Sequence, residues 1–360
     1  VDNYYKKNFD GIISRYRQIN SGAKSGALLH INSIREIDRG PGIPDVKPLN
    51  AWDFDSQLPE YFDALLDREE AVWSRRTDVE DDRIPSVTPF FGIGEHSAYL
   101  GGKVRFEETT SYNTPFIRSW ADTDKIVPDK NNIWFRRVIG GIAYMKKSRP
   151  GRIAARLRGG CGPAELAGFI RGNDLFTDFY DYPEEVHRLL KVCTKAERWF
   201  IDSQLEACGD FEGGILEGMN VWMPHGSFGH LSEDWSYMCS PEMYREFGRA
   251  YTDKMTQGFS DVLMHIHSGG AHILPELVKS KNITYIQISS DPNRPSALDI
   301  FRKYEDCLRG RIVMLAITGE ELKSARDFLK DKRAIFSVDC DTVDEARRVV
   351  DYVRTEFPVV

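Results

Sequence analysis

The chain has 360 residues, 41% apolar and 29% charged, with a formal net charge of −7. That length and composition suit one large soluble α/β domain with a sizeable core. The acidic balance, with no Lys/Arg-rich block, argues against nucleic acid as a partner, and no apolar run approaches the roughly 18 residues of a membrane span.

The opening VDNYYKKNFDG lacks the apolar core of a secretory signal. Residues 1–80 read as an N-terminal, largely helical extension packed on the barrel formed by the rest of the chain. It holds one short strand candidate, GALLHINS, and an amphipathic helix in LPEYFDALLDREEAVWSRR. From 81 to 360 the pattern is of short apolar runs alternating with longer amphipathic ones. The spacing predicts strands over 84–94, 151–160, 213–223, 261–268, 283–289, 311–317 and 333–339. Residues 101–150 read as an insertion: a hairpin in KVRFEETTSYNTPFIRSW, then a helix in NNIWFRRVIGGIAYMKK.

Helix signals separate the later strands. A long helix starts at Pro183 and ends near Gly209. Others start at the caps Ser240, Thr318 and Thr342, the last two with acids in the first turn. Alternating βα units predict a parallel sheet. Seven strands, plus ALLHI or one more, fit a (β/α)8 TIM barrel. A doubly wound open sheet is the alternative, but no GxGxxG or GxxxxGK[ST] motif occurs. The six cysteines, at 161, 193, 208, 239, 307 and 340, form no CxxC and read as reduced thiols. A cytoplasmic enzyme is the expectation.

In a parallel barrel, chemistry gathers at the carboxyl ends of the strands. Those ends carry Glu95 and His96; Cys161; Glu217, Trp222 and His225; His265, His267 and Ser268; Ser290 and Asp291; Thr318; and Asp339, Cys340 and Asp341. Some have plain structural readings. Thr318 and Asp341–Thr342 suit helix caps, Asp291 suits a turn before proline, and Cys161 suits a small buried apolar position. Glu217 lies in an apolar, Gly-rich run, so its carboxylate needs a partner or a wet cavity. His265 and His267 share a strand face, about 6.6 Å apart along the strand. Both can approach one metal, or His265 can be a hydrogen-bonded core imidazole. The candidate catalytic residues are His267, Glu217 and His96. The candidate substrate contacts are Glu95, Trp222, His225, Ser268 and Asp291.

Four segments, FFGIGEHSAYLGG, GPAELAGFIRGNDLFTDFYDYPEEVHRLL, EDWSYMCSPEMYREF and HIHSGGAHILPELV, carry a resemblance. In that order they look like successive landmarks of the uroporphyrinogen decarboxylase superfamily. That superfamily also contains zinc-dependent methyltransferases serving corrinoid proteins and coenzyme M. The resemblance spans roughly residues 83 to 357 and implies a (β/α)8 barrel and a homodimer. The arginine-rich segment that grips porphyrinogen acids has only a faint echo in ISRYRQINSGAKSG.

The methyltransferase branch binds zinc through a His-x-Cys pair and a later cysteine. His267 matches the histidine, Cys340 the later cysteine, and Gly269 stands where the first cysteine belongs. The resemblance therefore implies Zn²⁺ held by His267 and Cys340 and completed by Glu217 or His265, a set richer in N and O donors. The expected activity is methyl or other one-carbon transfer with a corrinoid protein or pterin-like partner. Two alternatives stand. One is a metal-free decarboxylase of a small or tetrapyrrole-like acid, with His96, Arg83 and Arg171 engaging carboxylates. The other is a non-catalytic ligand-binding protein on the same fold.

Overall fold

Alternation of apolar residues along the C-terminal strands decides how the sheet is covered. A computed structural model describes residues 3–360. Its strands are β1 (Gly26–Ile34), β2 (Ser86–Val87), β3 (Val104–Phe106), β4 (Ser111–Asn113), β5 (Ala154–Ala155), β6 (Gly160–Cys161), β7 (Gly214–Leu216), β8 (Trp222–Pro224), β9 (Gly229–Ser232), β10 (Val262–His267), β11 (Ile283–Ser289), β12 (Ile312–Ala316) and β13 (Arg333–Cys340). Seven of them form one parallel sheet in the order β1-β13-β12-β11-β10-β9-β6. The short β2 and β5 pair in parallel beside it. Thus β1, although within residues 1–80, is hydrogen-bonded into the sheet. The insertion contains the expected hairpin, β3 with β4, and a helix, Ile133–Ser148, capped by the Asn132 side chain.

Along β13, Phe336, Val338 and Cys340 join one apolar cluster with the helices that cover the sheet, whereas Ile335 belongs to a second cluster. Ser337 and Asp339 share the face of Ile335. Val350 and Val353 of the last helix, Val343–Glu356, lie in the first cluster. Leu28 of β1, Leu263 of β10 and Tyr285 of β11 join the second, with Tyr16 of the helix Phe9–Asn20. Capping works as the sequence predicts. Ser240, Thr318 and Thr342 each accept a backbone N–H three residues on, and the helix Pro183–Cys208 stops at Gly209, whose φ is 67°. No helix among the described residues is long and apolar enough to cross a membrane.

Two expected strands differ. Residues 84–94 supply only β2, followed by turns and the short helix Glu95–Ala98. The apolar run 213–223 is not a strand of the parallel sheet but an antiparallel hairpin, β7 with β8. The chain reverses because Asn220 adopts φ 66° and the Glu217 carboxylate accepts the N–H groups of Met219 and Val221. The sheet strand at that point is the less apolar β9. The expected 151–160 strand divides at Gly159, φ 82°, into β5 and β6.

The extension is pinned by a buried ionic cluster. Lys6, Arg76 and Asp81 are each about fully buried. Lys6 Nζ pairs with the Asp81 carboxylate and donates to the carbonyls of Val79 (2.9 Å) and Asp81 (3.1 Å). Arg76 Nη2 reaches the other Asp81 oxygen at 3.1 Å, and that oxygen also accepts the Ile31 N–H of β1 at 2.8 Å. The two cations share the one Asp81 carboxylate and lean on backbone carbonyls for the rest, as buried ions require, while Arg76 Nε is left without a partner.

Candidate metal centre

β10 ends in His265 and His267, whose rings stand on one strand face with centroids 5.0 Å apart. Each ring is fixed through Nδ1. His265 Nδ1 donates to Oε1 of Gln287, its cross-strand partner on β11. The Gln287 amide nitrogen donates to Ser289 Oγ at 3.2 Å, which sets the amide orientation. His267 Nδ1 donates to Asp291 Oδ1 at 2.6 Å. Asp291 is held in turn: its Oδ2 accepts the Gly269 N–H at 2.8 Å and the Ser268 hydroxyl at 3.2 Å. Burial pushes the Asp291 carboxyl up, but the Gly269 N–H and His267 outweigh it and hold the group below its usual range.

With each Nδ1 turned to an acceptor, Nε2 is the remaining nitrogen of each ring, and both face Asp234. The Asp234 carboxylate lies 3.5 Å from His265 Nε2 and 3.7 Å from His267 Nε2. Asp234 opens the turn after β9, and its N–H donates to Glu165 Oε2 at 2.8 Å. Glu165 also accepts the Ser232 hydroxyl at 3.0 Å. Two donors about 2.0–2.1 Å from one tetrahedral ion stand about 3.3 Å apart, so these gaps are close to those of shared ligands. Among the described residues, Asp234, His265 and His267 are the one set of three His, Cys, Asp or Glu side chains whose ligand atoms lie within 4.8 Å of one another. Burial pushes the His265 imidazolium below its ordinary range, so the ring is neutral and able to ligate at neutral pH. The Asp234 and His267 side chains are 45% and 37% exposed, which leaves one side of the set open to a ligand.

The other sequence candidates fall elsewhere. Cys340 is buried in the cluster between sheet and helices, and burial pushes its thiol up to about 12. Glu217 is buried and satisfied by its own turn and by His230 Nδ1 at 3.0 Å. Neither joins the histidines. A side chain at Gly269 would collide with Tyr237, since a β-carbon there stands 1.8 Å from Tyr237 Cε2. The thiolate donor set implied by the resemblance therefore does not fit this chain, whereas the N and O donors do.

Ser268 supports Asp291. Trp222 is buried under the extension, its indole N–H on the Phe211 carbonyl. His225 is exposed on the loop whose Gly226 carbonyl accepts the Ser260 N–H, ahead of the start of β10 and away from the strand ends. Glu95 pairs with Arg158 and accepts the Phe91 N–H. Arg171 is occupied by Asp178 and the Ile117 carbonyl. Thr318 caps its helix.

Asp234, the third member of the set, and Gln287, which holds His265, are the residues that sequence reasoning missed. Asp234 comes just after β9, a strand with one apolar side chain that the richer 213–223 run obscured. Gln287 lies inside a correctly placed strand, two residues before its end, and only cross-strand register reveals its role. No family model matches the chain, and no curated protein matches it.

Proposed function

We propose that the chain is a metal-dependent enzyme of methyl or one-carbon transfer, with Zn²⁺ held by Asp234, His265 and His267. The convergence of two oriented Nε2 lone pairs and an exposed carboxylate is the observation that carries this reading. The segment resemblance supplies the reaction class and the expected corrinoid or pterin-like methyl carrier. Under this reading the sheet closes into a (β/α)8 barrel and the set lies at its mouth. Support comes from the 154–161 stretch, which pairs with β2 at one end and β9 at the other. It also comes from Asp82, whose N–H donates to the Leu29 carbonyl of β1 at 2.7 Å.

Zinc bound to three protein ligands with an open position acts as a Lewis acid toward the group that fills it. The protein's part is orientation. Asp291 and Gln287 hold the imidazoles with Nε2 outward, and such supports are worth roughly 10- to 100-fold in metal affinity in known sites. Glu165, the acid beneath Asp234, is pushed well above its ordinary value by burial and by the Asp234 charge. That shift favours the neutral acid and so limits the negative charge behind the set.

The test is metal analysis of protein purified without chelator, followed by methyl transfer to free cob(I)alamin from a panel of methylated donors. One equivalent of zinc is expected, lost in Asp234→Ala and His267→Ala together with transfer. Metal-free protein with full transfer activity removes the zinc. Stoichiometric zinc without transfer to any acceptor removes the methyl-transfer assignment.

A further inference from the structure

A group of cations stands at the other end of the sheet. Arg311 precedes β12, and Arg333 opens β13 beside the starts of β12 and β1. Both line one cavity of about 440 Å³. These strand starts lie roughly 20 Å from His267, at about 3.3 Å per residue along β11. Each guanidinium is held by backbone carbonyls. Arg311 Nε donates to Ile283 at 2.6 Å and Nη2 to Val278 at 2.7 Å. Arg333 Nη1 donates to Ile19 at 3.1 Å, and Nη2 to Gly310. Arg311 Nη1 and Arg333 Nε are left over. His96 Nδ1 and Arg156 Nε also lack a partner, but those two atoms are shut off from solvent, whereas the spare nitrogens of Arg311 and Arg333 are open to it.

Charge around the cavity is unevenly matched. Lys332 reaches Glu305 at 2.9 Å and Asp331 at 2.6 Å, and Arg309 pairs with Asp306 at 2.6 Å. Lys24 also lines the cavity; it is exposed, and its backbone N–H donates to a Val360 oxygen at 2.8 Å. Among the described residues neither Arg311 nor Arg333 forms an ion pair, and the two repel each other. Burial first, then the Arg333 charge, pushes the Arg311 guanidinium below its usual range; Cys307 opposes this, and no carboxylate does. Carbonyls satisfy N–H groups without neutralising two full charges.

We propose that this cavity binds a small phosphate monoester, its phosphoryl oxygens held by Arg311 and Arg333 with Lys24 adding charge at the surface. Guanidinium groups match phosphate geometry. A monoester carries about −1.5 to −2 at neutral pH, which offsets two guanidiniums where a carboxylate offsets one. Phe301 and Leu308, both buried, give the cavity an apolar wall. Its volume falls within the roughly 300–1,000 Å³ of small-molecule sites and leaves room for the organic part of the ester. Glu305, Asp306 and Asp331 repel an anionic membrane surface, so the phosphate is carried by a small molecule. The site stands at the opposite strand ends from the metal set and does not rest on the metal reading.

The test is calorimetric titration of glycerol 3-phosphate and of acetate into the metal-free protein. Glycerol 3-phosphate is expected to bind, with acetate weaker. Arg311→Gln and Arg333→Gln are each expected to weaken glycerol 3-phosphate by about tenfold or more, the loss of a hydrogen-bonded charge, with unfolding curves verifying that both variants fold. Lys24→Glu disturbs neither set of carbonyl contacts, so it decides the matter where an arginine variant does not fold; it is expected to weaken binding severalfold at low salt. His267→Ala is expected to bind glycerol 3-phosphate like wild type. No binding at millimolar concentration, equal affinity for acetate, wild-type affinity in the folded variants at 24, 311 and 333, or loss of binding in His267→Ala overturns the site.

Discussion

The Lys6–Arg76–Asp81 cluster and the Asp234–His265–His267 set are built from similar materials and end in opposite states. In the first, each charge is buried and meets a counter-charge, and the remaining lone pairs are taken up by backbone. In the second, backbone and neighbouring side chains satisfy only the rear of each ring, through Gln287 and Asp291, and the front is left open. The closed cluster is a joint that holds the extension to β1, whereas the open set turns its ring nitrogens to a shared, solvent-facing carboxylate. Polarity alone does not separate the two; burial and the direction in which the ligand atoms face do.

That contrast can be broken at the closed end with the largest effect. Lys6→Met leaves the buried Asp81 with only Arg76 and is expected to cost about 3–5 kcal/mol in urea unfolding, with zinc affinity of the folded protein unchanged. A smaller loss would show that the cluster is not the joint described. Glu233, next to Asp234, is a third state: closed, but without any cation. It accepts from Thr252 Oγ1 at 2.8 Å and from the Trp235 indole, and burial raises it from 4.5 to about 7. The unfolded chain releases this proton first, so stability is full below about 4.5 and falls as pH rises through 7. Glu233→Gln is therefore expected to stabilise at pH 8 by up to about 3 kcal/mol and to change nothing at pH 4. A benefit independent of pH would place its cause elsewhere.

At the open end, Asp291→Asn leaves the His267 ring less firmly held and should weaken zinc binding by about 10- to 100-fold with little change in unfolding. Competition with a chelating dye reads this directly, and wild-type affinity in the variant would deny Asp291 its orienting role. Smallest is Thr342→Ala, which removes a helix cap that belongs to neither region. About 1 kcal/mol of stability should go, with no effect on zinc.

Much of the scaffold was legible because local chemistry fixes it. The caps Ser240, Thr318 and Thr342, the stop at Gly209 and the apolar strands β10 to β13 all follow from residue type. The site was legible where one strand carries it, as with His265 and His267. It was obscured where composition misleads. GGILEGMNVWM has the apolar content of a buried strand, but Asn220 and Glu217 turn it back on itself, so Asp234 was not recognised at a strand end. Cys340 illustrates parity: it alternates with Phe336 and Val338, so it points to the helices while Asp339 takes the other face.

Gly269 has a consequence for how such a centre can change its chemistry over time. Because the Tyr237 ring occupies the space a β-carbon would need, a cysteine cannot enter at 269 by a single substitution without displacing that ring. Tyr237 is 39% exposed and its hydroxyl accepts from Arg294 at the surface, so a side chain at 269 is made room for either by swinging that ring outward or by a smaller residue at 237.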